Sequence, residues 1–213
     1  MKDGSKELRI LGKSASINVR KVLWLCAEME LAYEQEQWGH GFHSTQAPEF
    51  KLLNPNAMVP VICDGDFVLW ESNAICRYLT SHYGRTDLLP TEARARARVE
   101  QWMDWQVAEL NTAWRYAFMA LVRRSPAHAD PTAIEQSIRG WNRHMSILEE
   151  QLTATGAYVA GSTFTLADIV IGLSTHRWLK SPIERPDLPA VNAYYERLSE
   201  RPYFLLHARD GIP

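Results

Sequence analysis

Apolar positions in this chain change period near residue 90. From Leu8 to Leu11 a short apolar run predicts a buried strand, and Val19, Val22, Leu23, Cys26 and Met29 then recur at helical spacing. Tyr33 to Trp38 reads as a second strand; Pro48, Glu49 and Phe50 start a short helix that ends before Asn54-Pro55. Pro60 to Cys63 and Phe67 to Trp70 are apolar runs joined through Asp64-Gly65, a dipeptide that favours tight hairpin turns. A helix follows from Glu71-Ser72, with Ile75, Tyr78, Leu79 and His82 expected to share its buried face. The order is βαβ, a short helical piece, then ββα.

Beyond a polar connection from Gly84 to Pro90, no alternating pattern returns. Ala95, Val99, Trp102, Met103 and Gln106 are helically spaced, and so are Trp114 and Phe118 after them. Pro131 suits the first turn of a helix carrying Ile134, Ile138, Trp141, Met145 and Leu148. Thr165 and Asp168 form a capping box variant before the apolar run Ile169 to Leu173, and Pro189 opens a last helix through Val191, Tyr194, Tyr195 and Leu198. The predicted organisation is an α/β domain over 1–84, a linker over 85–91 and an all-helical domain over 92–213.

Composition narrows the class. The chain has 213 residues, 46% hydrophobic and 23% charged, as ordinary globular proteins do. A formal net charge of -2 gives no electrostatic reason to expect nucleic acid, and no apolar run approaches the roughly 20 residues that span a bilayer. The opening stretch MKDGSKE has no apolar signal core, so a cytoplasmic location is expected. Cys26, Cys63 and Cys76 make neither an even framework nor a C-x-x-C pair; buried small hydrophobes in a reducing compartment are expected. No metal-ligand spacing occurs among the seven histidines.

Candidate chemistry concentrates between Asn54 and Leu79. Val59-Pro60 lies at a sheet end, where an unpaired backbone edge could take an extended peptide by strand addition. The Glu71-Ser72 helix start offers free N–H groups, a hydroxyl and the positive end of a helix dipole, which suit a carboxylate, while Glu71 suits an ammonium group. Singly, an ordinary turn and a solvated helix cap account for them. Ordered as a pair across a hairpin, they describe a site for an amino acid head followed by a peptide bond.

That arrangement resembles the glutathione transferase family, whose N-terminal thioredoxin-like domain carries a Val-Pro step, a hairpin and a Glu/Gln-Ser helix start. The likeness extends over nearly the whole chain, because the Ser/Thr-x-x-Asp box before an apolar helix is typical of the family's helical domain. It implies a homodimeric serine-type enzyme with theta-like or phi-like features, using glutathione as co-substrate and no permanently bound cofactor or metal. By the same match the thiol-activating hydroxyl is Ser16, four residues before Arg20, with Ser14 as rival. Val59, Pro60, Glu71 and Ser72 would hold the peptide, and His43, placed ahead of Lys51, would meet the glycine carboxylate. Trp114 and Phe118, with Arg115, are candidates to line an apolar electrophile pocket, although aromatic residues at that spacing commonly form core.

Arg94 and Arg98 read as a solvated face or as the border of an intersubunit cleft, and Asp104 could reach a neighbour's ligand. Met58 departs from the polar residue that serine-type relatives often carry before Val-Pro. A peroxidase, isomerase or dehalogenase on the same residues, and a non-catalytic glutathione-binding regulator, are the other readings.

Overall fold

Leu8 to Leu11 becomes strand β1 over Arg9–Leu11, and its ladders set the geometry of the first unit. The computed structural model describes residues 8–209; the polar opening stretch MKDGSKE, read for a signal segment, lies outside them. Strand β2, Glu34–Glu36, runs parallel to β1, as helix α1 at Ile17–Glu28 allows by carrying the chain back across the sheet. Strands β3, Val61–Asp64, and β4, Phe67–Trp70, complete a four-stranded sheet in the order β2-β1-β3-β4, with β1·β3 and β3·β4 antiparallel. Helix α2 covers Pro48–Leu53 and helix α3 Ser72–His82.

The hairpin turn sits one residue later than expected. Asp64 pairs with Phe67, so the two turn residues are Gly65 and Asp66. Gly65 takes φ +65°, which suits the first position of a two-residue hairpin, where glycine meets no Cβ penalty. The buried face of α3 is also rotated from the expected one. Ile75 and Leu79 are fully buried, but they are joined by Cys76 and Thr80 rather than by Tyr78 and His82. His82 is exposed and stacks on Tyr78, with ring centroids 5.3 Å apart.

Helix α1 is buried more completely than its pattern implied. Val19, Val22, Leu23 and Cys26 are inside, but so are Arg20 and Lys21, and the Lys21 Nζ donates to Asn73 Oδ1 of α3 at 3.3 Å. All three cysteines are buried thiols. Burial pushes Cys26 and Cys76 up to about 12 and raises Cys63, so none is thiolate at neutral pH.

The second unit begins at Asp87. The segment read as a linker is built into structure at both ends: Arg85 donates to the Glu28 carbonyl, while Leu88 and Leu89 are buried and the Leu88 carbonyl accepts from the Leu166 N–H at 3.0 Å. Helix α4, Ala93–Trp105, passes through a π turn at Gln106–Leu110 into α5, Asn111–Leu121. The fully buried Gln106 holds that turn, donating to Asn111 Oδ1 and Ser174 Oγ, both at 2.9 Å. Helices α6, Pro131–Thr155, α7, Leu166–Lys180, and α8, Pro189–Ser199, follow, and α8 is not the last helix, contrary to expectation: Pro202 suits the first turn of a further helix, α9, Pro202–His207.

Helix α7 is the core element of this unit, buried from Leu166 to Trp178. Its start is fixed by the Asp168 carboxylate, which accepts from the N–H groups of Thr165 (2.8 Å) and Val159 (2.9 Å) and from the hydroxyls of Thr165 and Tyr194 (both 3.1 Å). Burial outweighs these four bonds and pushes Asp168 up to about 6.

Candidate functional site

Strand register brings the candidate residues to one end of the sheet. Leu11 pairs with Glu36 and with Val61, and Val61 pairs with Trp70. The loops that leave these four positions, Gly12 to Ser16, Gln37 to His43, Val59-Pro60 and Glu71-Ser72, therefore emerge together. Gly12 touches both neighbours: a Cβ there would lie 2.5 Å from Val19 Cγ2 and 3.1 Å from Val59 Cβ, at φ +151°. Only a glycine permits that approach.

Asn54 presents the Val59 backbone. Its buried side chain donates to the Met58 carbonyl at 2.8 Å and accepts from the Asn56 N–H at 3.0 Å, closing the turn before the cis Val59–Pro60 peptide. Among the described residues neither the N–H nor the C=O of Val59 has a hydrogen-bond partner. Met58 points outward, 63% exposed, and contributes only its carbonyl to this turn.

Two helix N-termini meet beside that edge. Ser72, buried at the first position of α3, lies with its Oγ 3.4 Å from Asn18 Oδ1 in the first turn of α1. Glu71 caps α3 at φ +74°, a conformation that non-glycine residues adopt at a cost of roughly 1 to 3 kcal/mol where function demands it. Its side chain is exposed.

The two serines of the first loop are in different situations. Ser14 Oγ accepts from Gln35 Nε2 at 3.0 Å and donates to Gln35 Oε1 at 3.4 Å, so its hydroxyl is engaged in both roles. Ser16 is the N-cap of α1, but its side chain makes no cap bond and has no hydrogen-bond partner among the described residues. Its hydroxyl sits half-buried beside the first N–H groups of the helix.

His43 and Lys51 are both exposed; His43 lies in the loop that leaves β2 at the candidate end of the sheet, whereas Lys51 is carried on α2. The His43 ring packs 5.2 Å from Trp38, which packs on Phe50 and belongs to the same cluster as Val59. Another basic residue, Lys13, was not singled out by sequence reading. Its Nζ donates to the His40 carbonyl at 3.1 Å and its backbone N–H to Trp38 at 3.0 Å, in the same corner. Its place inside the serine-bearing loop was the available signal; Asn18 and Asn54 gave none that distinguishes them from ordinary turn and cap residues.

In the helical unit, Trp114 and Phe118 are interior, 8% and 4% exposed. The Arg177 guanidinium lies 4.7 Å from the Trp114 ring and 4.1 Å from the Phe118 ring, so it covers one face of each. This is the core arrangement that helical spacing also allowed. Arg115 is exposed.

Known proteins share this architecture. The glutathione S-transferase N-terminal domain matches residues 6–81 and the C-terminal domain of the same proteins matches residues 111–202. Glutathione S-transferase GstB of Escherichia coli K12 is 35% identical over 197 residues, spanning 92% of this chain and 94% of that protein. The chain belongs to the glutathione S-transferase family. Another member, glutathione S-transferase 3 of Zea mays, is 33% identical over 205 residues, or 92% of this chain and 91% of the maize protein. Among solved structures, the theta class glutathione S-transferase of Xanthomonas axonopodis pv. citri, with glutathione bound, superposes with a TM-score of 0.90 at 34% identity, covering 97% of this chain and 99% of that one. The family assignment agrees with the sheet order, the helical second unit and the hairpin-linked Val-Pro and Glu-Ser pairs. Among the described residues no helix is long and apolar enough to cross a membrane.

Proposed function

We propose that this chain is a serine-type glutathione transferase that activates the glutathione thiol with the Ser16 hydroxyl for attack on an electrophilic carbon. The observation that carries the reading is the contrast in the first loop: Ser16 has an uncommitted hydroxyl at a helix N-terminus, while that of Ser14 is held by Gln35. The unpaired Val59 backbone would take the cysteinyl residue of the peptide by main-chain pairing, as in strand addition. The γ-glutamyl carboxylate would meet the Ser72 hydroxyl and the α3 N-terminus, with Glu71 facing the ammonium group. The glycine carboxylate would meet the corner occupied by Lys13 and His43.

Thiol activation at this site needs only modest energy. A free thiol has a pKa near 8.5, and each unit of lowering takes about 1.4 kcal/mol of preference for the anion. One hydroxyl donor and a helix N-terminus supply on the order of 1.5 to 3 kcal/mol, roughly two units. Ser16 donates a hydrogen bond to the thiolate and forms no covalent bond; the thiol proton leaves to solvent. The sulfur then attacks the electrophile and expels its leaving group, or adds to an activated double bond.

A cytoplasmic homodimer acting in detoxification belongs to the same reading. Phe67 and Val68, 45% and 36% exposed on edge strand β4, support self-association through apolar surface.

A pH titration of thiolate absorbance with glutathione bound tests the reading. The wild type is expected to show a depressed thiol pKa, and Ser16→Ala to raise it by one to two units, roughly, with affinity largely kept. An equal depression in both proteins would remove Ser16 from the role, and a normal pKa in the wild type would remove thiol activation altogether.

A further inference from the structure

The helical unit carries a polar cavity of about 420 Å³ between the start of α4 and the loop that leads into α7. Arg94 and Arg98 form one wall, four residues apart on one helix face, and Ser162 and Thr163 stand on the other. We propose that this cavity is a binding site for a small organic phosphate or sulfate monoester, separate from the glutathione site of the first unit.

The inference rests on a surplus of hydrogen-bond donors. Neither guanidinium has a hydrogen-bond or ion-pair partner among the described residues, whereas Arg96 on the same helix pairs with Glu100 at 3.1 Å. The Ser162 and Thr163 hydroxyls are likewise uncommitted, while the Thr165 hydroxyl at the cavity's edge is used by Asp168. The acidic side chain present, Glu92, accepts from the backbone N–H groups of Arg94 (3.0 Å) and Ala95 (2.8 Å), and these bonds, with a smaller contribution from the Arg98 charge, hold it below the usual carboxylate range. Two positive charges against one negative charge leave the cavity net positive.

A tetrahedral oxyanion uses such a donor set fully, because each guanidinium offers a planar fork that fits two of its oxygens. Two like charges at i and i+4 repel, and an anion between them relieves that repulsion. The cavity falls within the size range of small-molecule sites and exceeds what an inorganic ion fills, so an organic body is expected on the ester oxygen. Buried Val99 supplies an apolar contact for it.

Calorimetric titration of phenyl phosphate into the full-length protein tests the site, with benzyl alcohol as the neutral control. Saturable binding at one molecule per chain is expected, with none for benzyl alcohol. The double variant Arg94→Gln/Arg98→Gln should weaken it about tenfold or more, since both charged donors are lost. Arg96→Gln, on the same helix, should leave it within about twofold. Arg94 and Arg98 are exposed and Arg96 is partly so, and matching thermal melts would show that each variant is folded. The proposal is overturned by absence of saturable binding, or by an equal loss in Arg96→Gln. It is equally overturned if binding survives the double substitution but is abolished by saturating S-hexylglutathione, which would move the anion to the helix ends of the first unit.

Discussion

At Gly12 the fold leaves no room for a side chain, and the surrounding residues say what one would do. A methyl group there meets Val19 Cγ2 at 2.5 Å and Val59 Cβ at 3.1 Å, at a φ of +151° that L residues rarely adopt. Gly12→Ala should therefore destabilise the protein by about 1 to 3 kcal/mol and raise KM for glutathione by displacing Val59. Denaturant melts and steady-state kinetics measure the two effects; an unchanged KM with normal stability would mean that the loop and Val59 are not in register as described. Val59, Pro60, Glu71 and Ser72 could each be picked out as candidates from residue type and order, whereas Ser16 was distinguished from Ser14 only by the family resemblance. Lys13 and Asn54 could not, because their roles depend on backbone groups supplied by the His40 and Met58 carbonyls.

At the scale of elements, the capping box of α7 combines a legible motif with a property its sequence does not state. Thr165 and Asp168 announce the helix start, but the carboxylate's burial and its bonds to Val159 and Tyr194 come from segments packed against it. Asp168→Asn should cost about 2 to 4 kcal/mol, since an amide nitrogen would then face a backbone N–H that needs an acceptor. The pH dependence has a definite sign. Burial raises Asp168 from 3.8 to about 6, so between those values the folded state holds a proton that the unfolded state has released. Its contribution to stability is fully present below pH 3.8 and is lost as pH rises to about 6. The stability gap between wild type and Asp168→Asn should accordingly narrow over that interval in chemical denaturation at stepped pH. A gap that widens there would refute the assignment. The buried face of α3 and the hairpin turn were each misjudged in the same way: Tyr78 fitted the periodicity, but its hydroxyl bonds Asp64 at 2.8 Å and its ring stacks at the surface, and Asp64 served as a strand residue before Gly65.

For the whole molecule, the proposed ligand should act as a stabiliser by mass action. Glutathione at about 100 times its dissociation constant should add about 2.7 kcal/mol, raising Tm by roughly 5 to 10 °C for a chain of this size. Ser72→Ala should shrink that increment at the same glutathione concentration, and differential scanning fluorimetry reads both; a shift of equal size in the variant would remove Ser72 from the site. Sequence alone determined the division into an α/β domain and a helical domain, the order of strands and helices as far as the helix opened by Pro189, and the succession of Val59-Pro60 and Glu71-Ser72 across a hairpin. Those follow from local causes: hydrophobic period, turn chemistry and capping residues, each read over a few positions. Tertiary structure alone decided which serine is uncommitted, that Arg20 and Lys21 are buried, that Trp114 and Phe118 pack on Arg177, and that the exposed Arg94 and Arg98 share a cavity with Ser162 and Thr163. Each of these depends on a partner distant in sequence, and a one-dimensional pattern records a residue's own preference, not what the fold brings to meet it.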